Sequence, residues 1–131
     1  MAACVADTSA LLAYLLDEPG AAVTAGWLDR GAVVSTLNVQ ELVSKIVRDG
    51  GTEALATGTV ADLALAGVHD LTADLAAAGG AMIAATRPFG LSHGDRACLA
   101  LARHLGLPAV TADRAWADVA EALAVRVELV R

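Results

Sequence analysis

The sequence predicts an α/β protein, a mostly parallel sheet with helices on both faces. Three observations point there. Short runs of small and β-branched apolar residues, such as Ala32 to Ser35 and Ala109 to Thr111, alternate with stretches whose apolar residues recur at helical spacing. Glycine, proline and helix-capping residues stand at the junctions between them. The alternation runs through all 131 residues, which fits one domain, 1–131, built with right-handed crossovers.

Ala2 to Ala6 reads as the first strand, and Thr8 or Ser9 as the cap of a helix carrying Leu11, Leu12, Leu15 and Leu16. Asp7 therefore stands at a strand-to-helix turn. Pro19 and Gly20 break that helix, and a second, Ala21 to Asp29, carries Trp27 and Leu28 until Gly31 ends it. After the strand Ala32 to Ser35, Asn38 is expected to cap a helix with Leu42, Val43, Ile46 and Val47 in one stripe. Glu41 then falls three residues past its cap, the place of a capping-box acid. Gly50 and Gly51 separate this helix from residues 52–66, and Gly67 to Leu71 reads as a short strand. Thr72 caps a helix from Ala73 to Thr86, in which Gly79 and Gly80 cost roughly 1 kcal/mol each relative to alanine and predict a kink or a tight helix contact. Arg87 to Gly90 is a loop. Ser92 caps a helix with Asp95 in its first turn, running to His104 or Leu105 and closed by Gly106 and Pro108. Beyond the strand Ala109 to Thr111 lie a short helix, Ala115 to Leu123, and a last alternating strand, Ala124 to Val130, with Arg126 and Glu128 on one face.

Composition narrows the function. The chain is 56% hydrophobic with a mean hydropathy of +0.58, but much of that fraction is alanine and only 3% is aromatic, which predicts closely packed helices. The longest uncharged stretch near the middle, Leu75 to Thr86, falls well short of the roughly 18–20 apolar residues a membrane span needs. No Lys or Arg precedes Asp7 and no long apolar segment follows Met1, so a secretory signal is not expected and the cytoplasm is. Cys4 and Cys98 lack neighbouring ligands at zinc-site spacing and read as small buried hydrophobes in a reducing compartment. A net charge of −6 excludes a protein that coats nucleic acid through a basic face. Any nucleic acid would be held locally, and bound cations would supply the positive potential.

Asp7, Glu41, Asp95 and Asp113 each lie where an apolar run meets a helix start. One such acid is ordinarily a cap or a favourable charge at the helix dipole. The set differs, because open α/β sheets gather functional groups outside the carboxyl ends of their strands. Clustered carboxylates repel one another and raise some of their pKa values, a cost that cations offset. Oxygen ligands without a flanking aromatic platform suit Mg²⁺ or Mn²⁺, which can activate water for phosphodiester hydrolysis.

The segments Val-Ala-Asp7-Thr-Ser-Ala-Leu, Val-Gln-Glu41-Leu, Gly-Asp95-Arg-Ala-Cys-Leu-Ala-Leu-Ala and Thr-Ala-Asp113-Arg-Ala-Trp resemble the successive acidic motifs of PIN-domain ribonucleases. The VapC toxins among them are the nearest likeness. The resemblance runs from the first strand to Trp116 and implies a three-layer α/β/α fold, Mg²⁺- or Mn²⁺-dependent endoribonuclease activity, a VapB-like antitoxin and a homodimer. It also implies that Asp7, Glu41, Asp95 and Asp113 hold the metal, while Thr8, Ser9 and Thr111 occupy hydroxyl positions that orient carboxylates or water. Some PIN domains place a further acid two residues after the last, where this chain has Ala115. Asp118 is a secondary candidate for that oxygen, against a solvated-face reading.

Arg96 is expected either to meet a substrate phosphate or to pair with a nearby acid. His93 reads as a loop or capping residue, Trp27 and Tyr14 as core or interface aromatics rather than base-stacking platforms, and Lys45 and Arg48 as guides for RNA. Two other readings compete with a nuclease. A signalling receiver module also binds Mg²⁺ at strand ends, but it needs adjacent acids after its first strand and a late lysine, whereas Asp7 stands alone and Lys45 is the only lysine. The other is a PIN-like module that uses its acids only to bind partners.

Overall fold

Alternation inside three- and four-residue strands decides how the layers stack. In a computed structural model that describes all 131 residues, Val5 of β1 (Cys4–Ala6), Val33 of β2 (Ala32–Ser35) and Ala109 of β4 (Ala109–Thr111) face one core. Their neighbours Cys4, Ala6, Ala32, Val34 and Val110 face the other. Successive strand residues point to opposite faces, so strands buried on both sides are apolar on both, with the polar Ser35 and Thr111 only at their carboxyl ends. β3 (Gly67–His69) and β5 (Val127–Leu129) lie at the edges and are partly exposed.

The five strands form one sheet in the order β3-β2-β1-β4-β5, and every pairing is parallel. The fold is α/β, as the strand and helix alternation predicts. One core receives Leu11 of α1 (Thr8–Leu15), Leu42 of α3 (Thr36–Arg48) and Leu63, which follows α4 (Glu53–Asp62), with Trp27 and Leu28 of α2 (Ala21–Arg30) packed at its margin. The other receives Cys98, Leu99 and Leu101 of α7 (His93–Leu105), together with Trp116 from a 3₁₀ turn, Arg114–Asp118, and Leu123 of the one-turn α8 (Ala120–Leu123). α5 (Ala73–Ala81) and the one-turn α6 (Ile83–Thr86) lie outside α7, followed by a 3₁₀ turn, Arg87–Phe89.

Several boundaries depart from the sequence reading. The cap of α1 is Asp7, not Thr8 or Ser9, and the cap of α3 is Ser35, which leaves Asn38 inside the helix. The 73–86 helix breaks at Met82, not at Gly79 or Gly80. Gly79 instead makes the tight helix contact, since a Cβ there would lie 3.4 Å from the Arg96 carbonyl oxygen of α7. The outer strands are shorter than their apolar runs: β3 stops at His69 and β5 covers only Val127–Leu129. The expected helix 115–123 is a 3₁₀ turn followed by one α turn. Ser92 and Thr72 cap their helices as read, and Arg126 pairs with Glu128 at 3.4 Å. No helix is long and apolar enough to cross a membrane.

Trp116 is fully buried, and its indole N–H has no partner. Trp116→Ala should therefore cost about 3–5 kcal/mol in urea denaturation. Trp116→Phe should cost less, because it removes an unsatisfied buried donor along with part of the ring.

Candidate active site

The direction in which successive strands are added to the sheet reverses between β1 and β4. Sequential strands run outward on one side through β2 and β3 and on the other through β5, so the β1 and β4 carboxyl ends flank a topological switch point. Asp7 follows β1 directly and is held there from both strands. Its Oδ1 accepts from the Ala10 N–H at 2.8 Å, and its Oδ2 accepts from the Thr111 hydroxyl at 2.7 Å. The Ser9 hydroxyl lies within 2.9 Å of both oxygens and itself accepts from the Ala112 N–H. Asp7 is 2% exposed, and burial pushes its pKa up to about 7 against the pull of these donors, with a smaller push from Asp95.

Glu41 reaches the same end of the sheet from α3. Its Oε1 accepts from Thr8 Oγ1 and from Asn38 Nδ2, each at 2.6 Å. Thr8 and Ser9, adjacent in sequence, thus serve different carboxylates. Asn38 also donates to the Gly94 carbonyl at 3.1 Å, tying α3 to the first turn of α7. Gly94 is the seat of the Glu41 carboxylate, because a Cβ there would collide with both of its oxygens. Neither Asn38 nor Gly94 stands out in the sequence. Asn38 reads as a cap, and Gly94 enters only as the residue before Asp95 in its motif.

Asp95 and Asp113 bring the remaining carboxylates, and both cap. Ser92 and Asp95 form a reciprocal capping box in which Asp95 Oδ2 accepts from the Ser92 N–H at 2.8 Å. Asp113 Oδ1 accepts from the Ala115 N–H at 3.0 Å, while its own N–H donates to Thr111 Oγ1, the hydroxyl that holds Asp7. Burial raises the Asp95 pKa, and the charges of Glu41 and Asp113 raise it further. The four acids are therefore electrostatic neighbours.

Glu41 Oε2, Asp95 Oδ1 and Asp113 Oδ2 accept no hydrogen bond, and no Lys or Arg pairs with any of the four acids. Uncompensated carboxylates repel, and as they lie no three of them close round a common point. In chemistry the donor set fits a hard divalent cation, with one free oxygen on each of three carboxylates beside a buried fourth.

The other candidates separate. Arg96 is 5% exposed and pairs with no acid; its Nη1 donates to the Leu91 carbonyl at 2.9 Å and its Nη2 lies 3.0 Å from His93 Nδ1. The expected acid pairing is absent. Asp118 is exposed at the end of its 3₁₀ turn and makes no hydrogen bond with the four acids. The Trp27 ring is covered by the Arg30 guanidinium at 3.8 Å.

Fold and site together define an all-parallel α/β domain with four charge-coupled acids at its switch point. The chain belongs to the PIN domain family, whose model matches residues 4–122 and whose members are generally nucleases. Solved structures share the fold at low identity. The DNA-bound VapBC of Salmonella typhimurium aligns at a TM-score of 0.75 and 17% identity over 100% of both chains. FitAcB of Neisseria gonorrhoeae aligns at 0.70 and 18%, covering 97% of each chain. VapC20 of Mycobacterium tuberculosis, a sarcin-ricin loop cleaving toxin, aligns at 0.69 and 19% over 86% of this chain and 91% of its own. No curated protein sequence matches.

Two outcomes test this geometry. The Asp7 pKa is raised on folding, so the native state holds the extra proton between about pH 4 and 7 and stability falls as pH rises through that window. In EDTA, Asp7→Asn should melt higher than wild type at pH 8, by the equivalent of about 1–4 kcal/mol, and the gain should vanish near pH 4. A constant difference across that range would show that Asp7 is not buried as a charge. Gly94→Ala should gain up to about 1 kcal/mol of helix propensity and yet displace Glu41. Its melting point and its activity should therefore move in opposite directions.

Proposed function

We propose that this cleft is the active centre of a Mg²⁺- or Mn²⁺-dependent endoribonuclease that serves as the toxin of a toxin–antitoxin pair. One observation carries the reading: Glu41, Asp95 and Asp113 each keep a free oxygen, they and the buried Asp7 are coupled through their charges, and the protein offers none of them a cation. Asp7, Glu41, Asp95 and Asp113 would hold the metal. When bound, the cation supplies Lewis acidity toward a phosphodiester and the attacking water.

The chain's own residues do the orienting. Ser9, Thr111 and the Ala10 N–H fix Asp7, Thr8 and Asn38 fix Glu41, and Ser92 fixes Asp95. Beside Glu41 a trough lined by Thr8, Gln40, Ser44, Lys45 and Arg48 offers the nucleic acid a polar path. Lys45 pairs with Asp49 at 3.0 Å, an exposed bridge worth only about 0.3–0.5 kcal/mol, so its amine exchanges readily to a phosphate.

The proposed antitoxin has a surface to cover. Leu12 and Leu15 of α1, Leu16 just after it, Ile46 of α3 and Leu55 of α4 line a groove of about 310 Å³, with Leu16 and Leu55 each more than half exposed. Such a groove suits the apolar face of a partner helix. VapBC and FitAB neighbours were solved as complexes with DNA, which supports a protein partner of this kind. A homodimer and a cytoplasmic location belong to the same reading.

Purified protein should cleave RNA with Mg²⁺ or Mn²⁺ and not with EDTA. The products should carry 5′-phosphate and 3′-hydroxyl ends, because water and not the ribose 2′-hydroxyl attacks. Asp7→Asn, Glu41→Gln and Asp95→Asn should each lower the rate by at least roughly a hundredfold, the upper end of the cost of disturbing a metal's supporting shell. Wild-type rates in two of the three, or a 2′,3′-cyclic phosphate product, would overturn the assignment.

A further inference from the structure

We infer that a recess between α3, α5 and α7 is a pocket for one unpaired nucleotide of the RNA strand, its base against leucine side chains and its phosphate on Arg96; this rests on the nuclease reading above. The recess is about 270 Å³ and is lined by Leu37, Leu71, Leu75 and Gly79, with His93 and Arg96 as its charged or titratable groups. That volume falls just below the range of roughly 300–1,000 Å³ for ligand sites, which suits one flat ring better than a helix or a folded segment.

Arg96 supplies the reason for an anion. Its guanidinium is almost wholly buried, makes no ion pair, and leaves its Nε–H without a partner. A buried charge that lacks a counter-ion is costly, and a phosphate at the recess that Arg96 lines would supply one. Apolar walls beside a guanidinium match the two parts of a nucleotide, and proteins read single-stranded RNA by taking unstacked bases out of the strand.

Position joins the recess to the acids. Leu37 lines it and also lines the trough that holds Thr8, Glu41, Lys45 and Arg48. His93 and Arg96 flank Asp95 on the first turns of α7, and Leu37 precedes Asn38, which holds Glu41. A strand lying along the trough therefore crosses the acidic cluster and passes over Leu37 into the recess. The nucleotide received there is a neighbour of the scissile bond, so the pocket sets which sequence is cut.

Gly80 gives a clean test. It lines the recess, its φ is not positive, and a Cβ built there meets nothing within 4 Å. Gly80→Leu should fill the pocket without disturbing the fold. Gly58→Leu on α4, also in open space and away from both recesses, controls for an added surface leucine. Binding of a short unstructured RNA is measured by fluorescence anisotropy in the Asp95→Asn background, and cleavage in the active protein. Gly80→Leu should weaken binding at least tenfold and raise KM to match, with a much smaller change in kcat, while Gly58→Leu tracks wild type. Arg96→Gln should lose affinity similarly and flatten the salt dependence of binding; Arg96→Lys, which keeps charge but not Nε, should recover only part. Wild-type RNA binding and cleavage by Gly80→Leu would overturn the pocket while leaving the nuclease reading intact. Loss of a protein partner alone in Gly80→Leu would assign the recess to that partner and overturn it too. A wild-type protein that neither binds nor cleaves RNA would remove the nuclease reading and the pocket with it.

Discussion

Everything at the carboxyl edge of the sheet depends on one buried carboxylate. Asp7 lies between parallel neighbours β1 and β4, where solvation by water is replaced by Thr111, Ser9 and the Ala10 N–H. Burying a charge costs several kcal/mol, and only dense hydrogen bonding keeps the cost bearable. The position is fixed from both sides, because the Asp7 N–H donates to the Val110 carbonyl at 3.0 Å while Thr111 holds the side chain. Thr111 in turn receives the Asp113 N–H, so the turn after β4 is set by the same hydroxyl that sets Asp7. A shift of one residue between the two strands would turn Thr111 to the other face and dissolve the arrangement.

Capping and metal-type chemistry are not rival explanations of these acids. A carboxylate has two oxygens, and Asp95 and Asp113 each commit one to a backbone N–H and leave the other free. Glu41 divides likewise, one oxygen held by Thr8 and Asn38. The cap fixes the rotamer of a side chain that would otherwise swing away from its like-charged neighbours. Local stability and site geometry are thus served by the same residue, and a substitution that preserves the cap while removing the charge separates the two contributions.

The central strands, the strand-to-helix turn at Asp7 and the α7 cap were legible because each depends on local pattern. Val5, Val33 and Ala109 sit in apolar runs bounded by turn residues, and Ser92 with Asp95 is a capping signature readable within one helical turn. What was not legible depends on tertiary contact. Asn38 resembles a cap in sequence, yet Ser35 takes that role one turn earlier, at the end of β2, and frees Asn38 to reach α7. Gly94 has an ordinary backbone, and only the approach of Glu41 from a distant helix requires that it lack a side chain. Gly79 and Gly80 likewise lie inside α5, which runs on to Ala81 before the break at Met82, and Gly79 faces α7. Edge strands run short because parallel pairing, not apolar content, decides where β3 and β5 end.

An acidic chain that handles RNA needs coupling between cation and nucleic acid. The net charge of −6 repels a polyanion, and of the basic side chains near the cleft Lys45 is engaged by Asp49 while Arg96 is buried. On the proposed reading, each cation held by the four acids lowers the repulsion that RNA meets, and each phosphate brought to the cleft raises affinity for the cation. Thermodynamic linkage makes these two effects equal in free energy. The Asp7 carboxyl adds a third participant, because with its pKa near 7 a proton competes for the place a cation would take. Proton, cation and nucleic acid are then linked through one carboxylate at the switch point of the sheet, and the acidity of the chain makes that linkage strong.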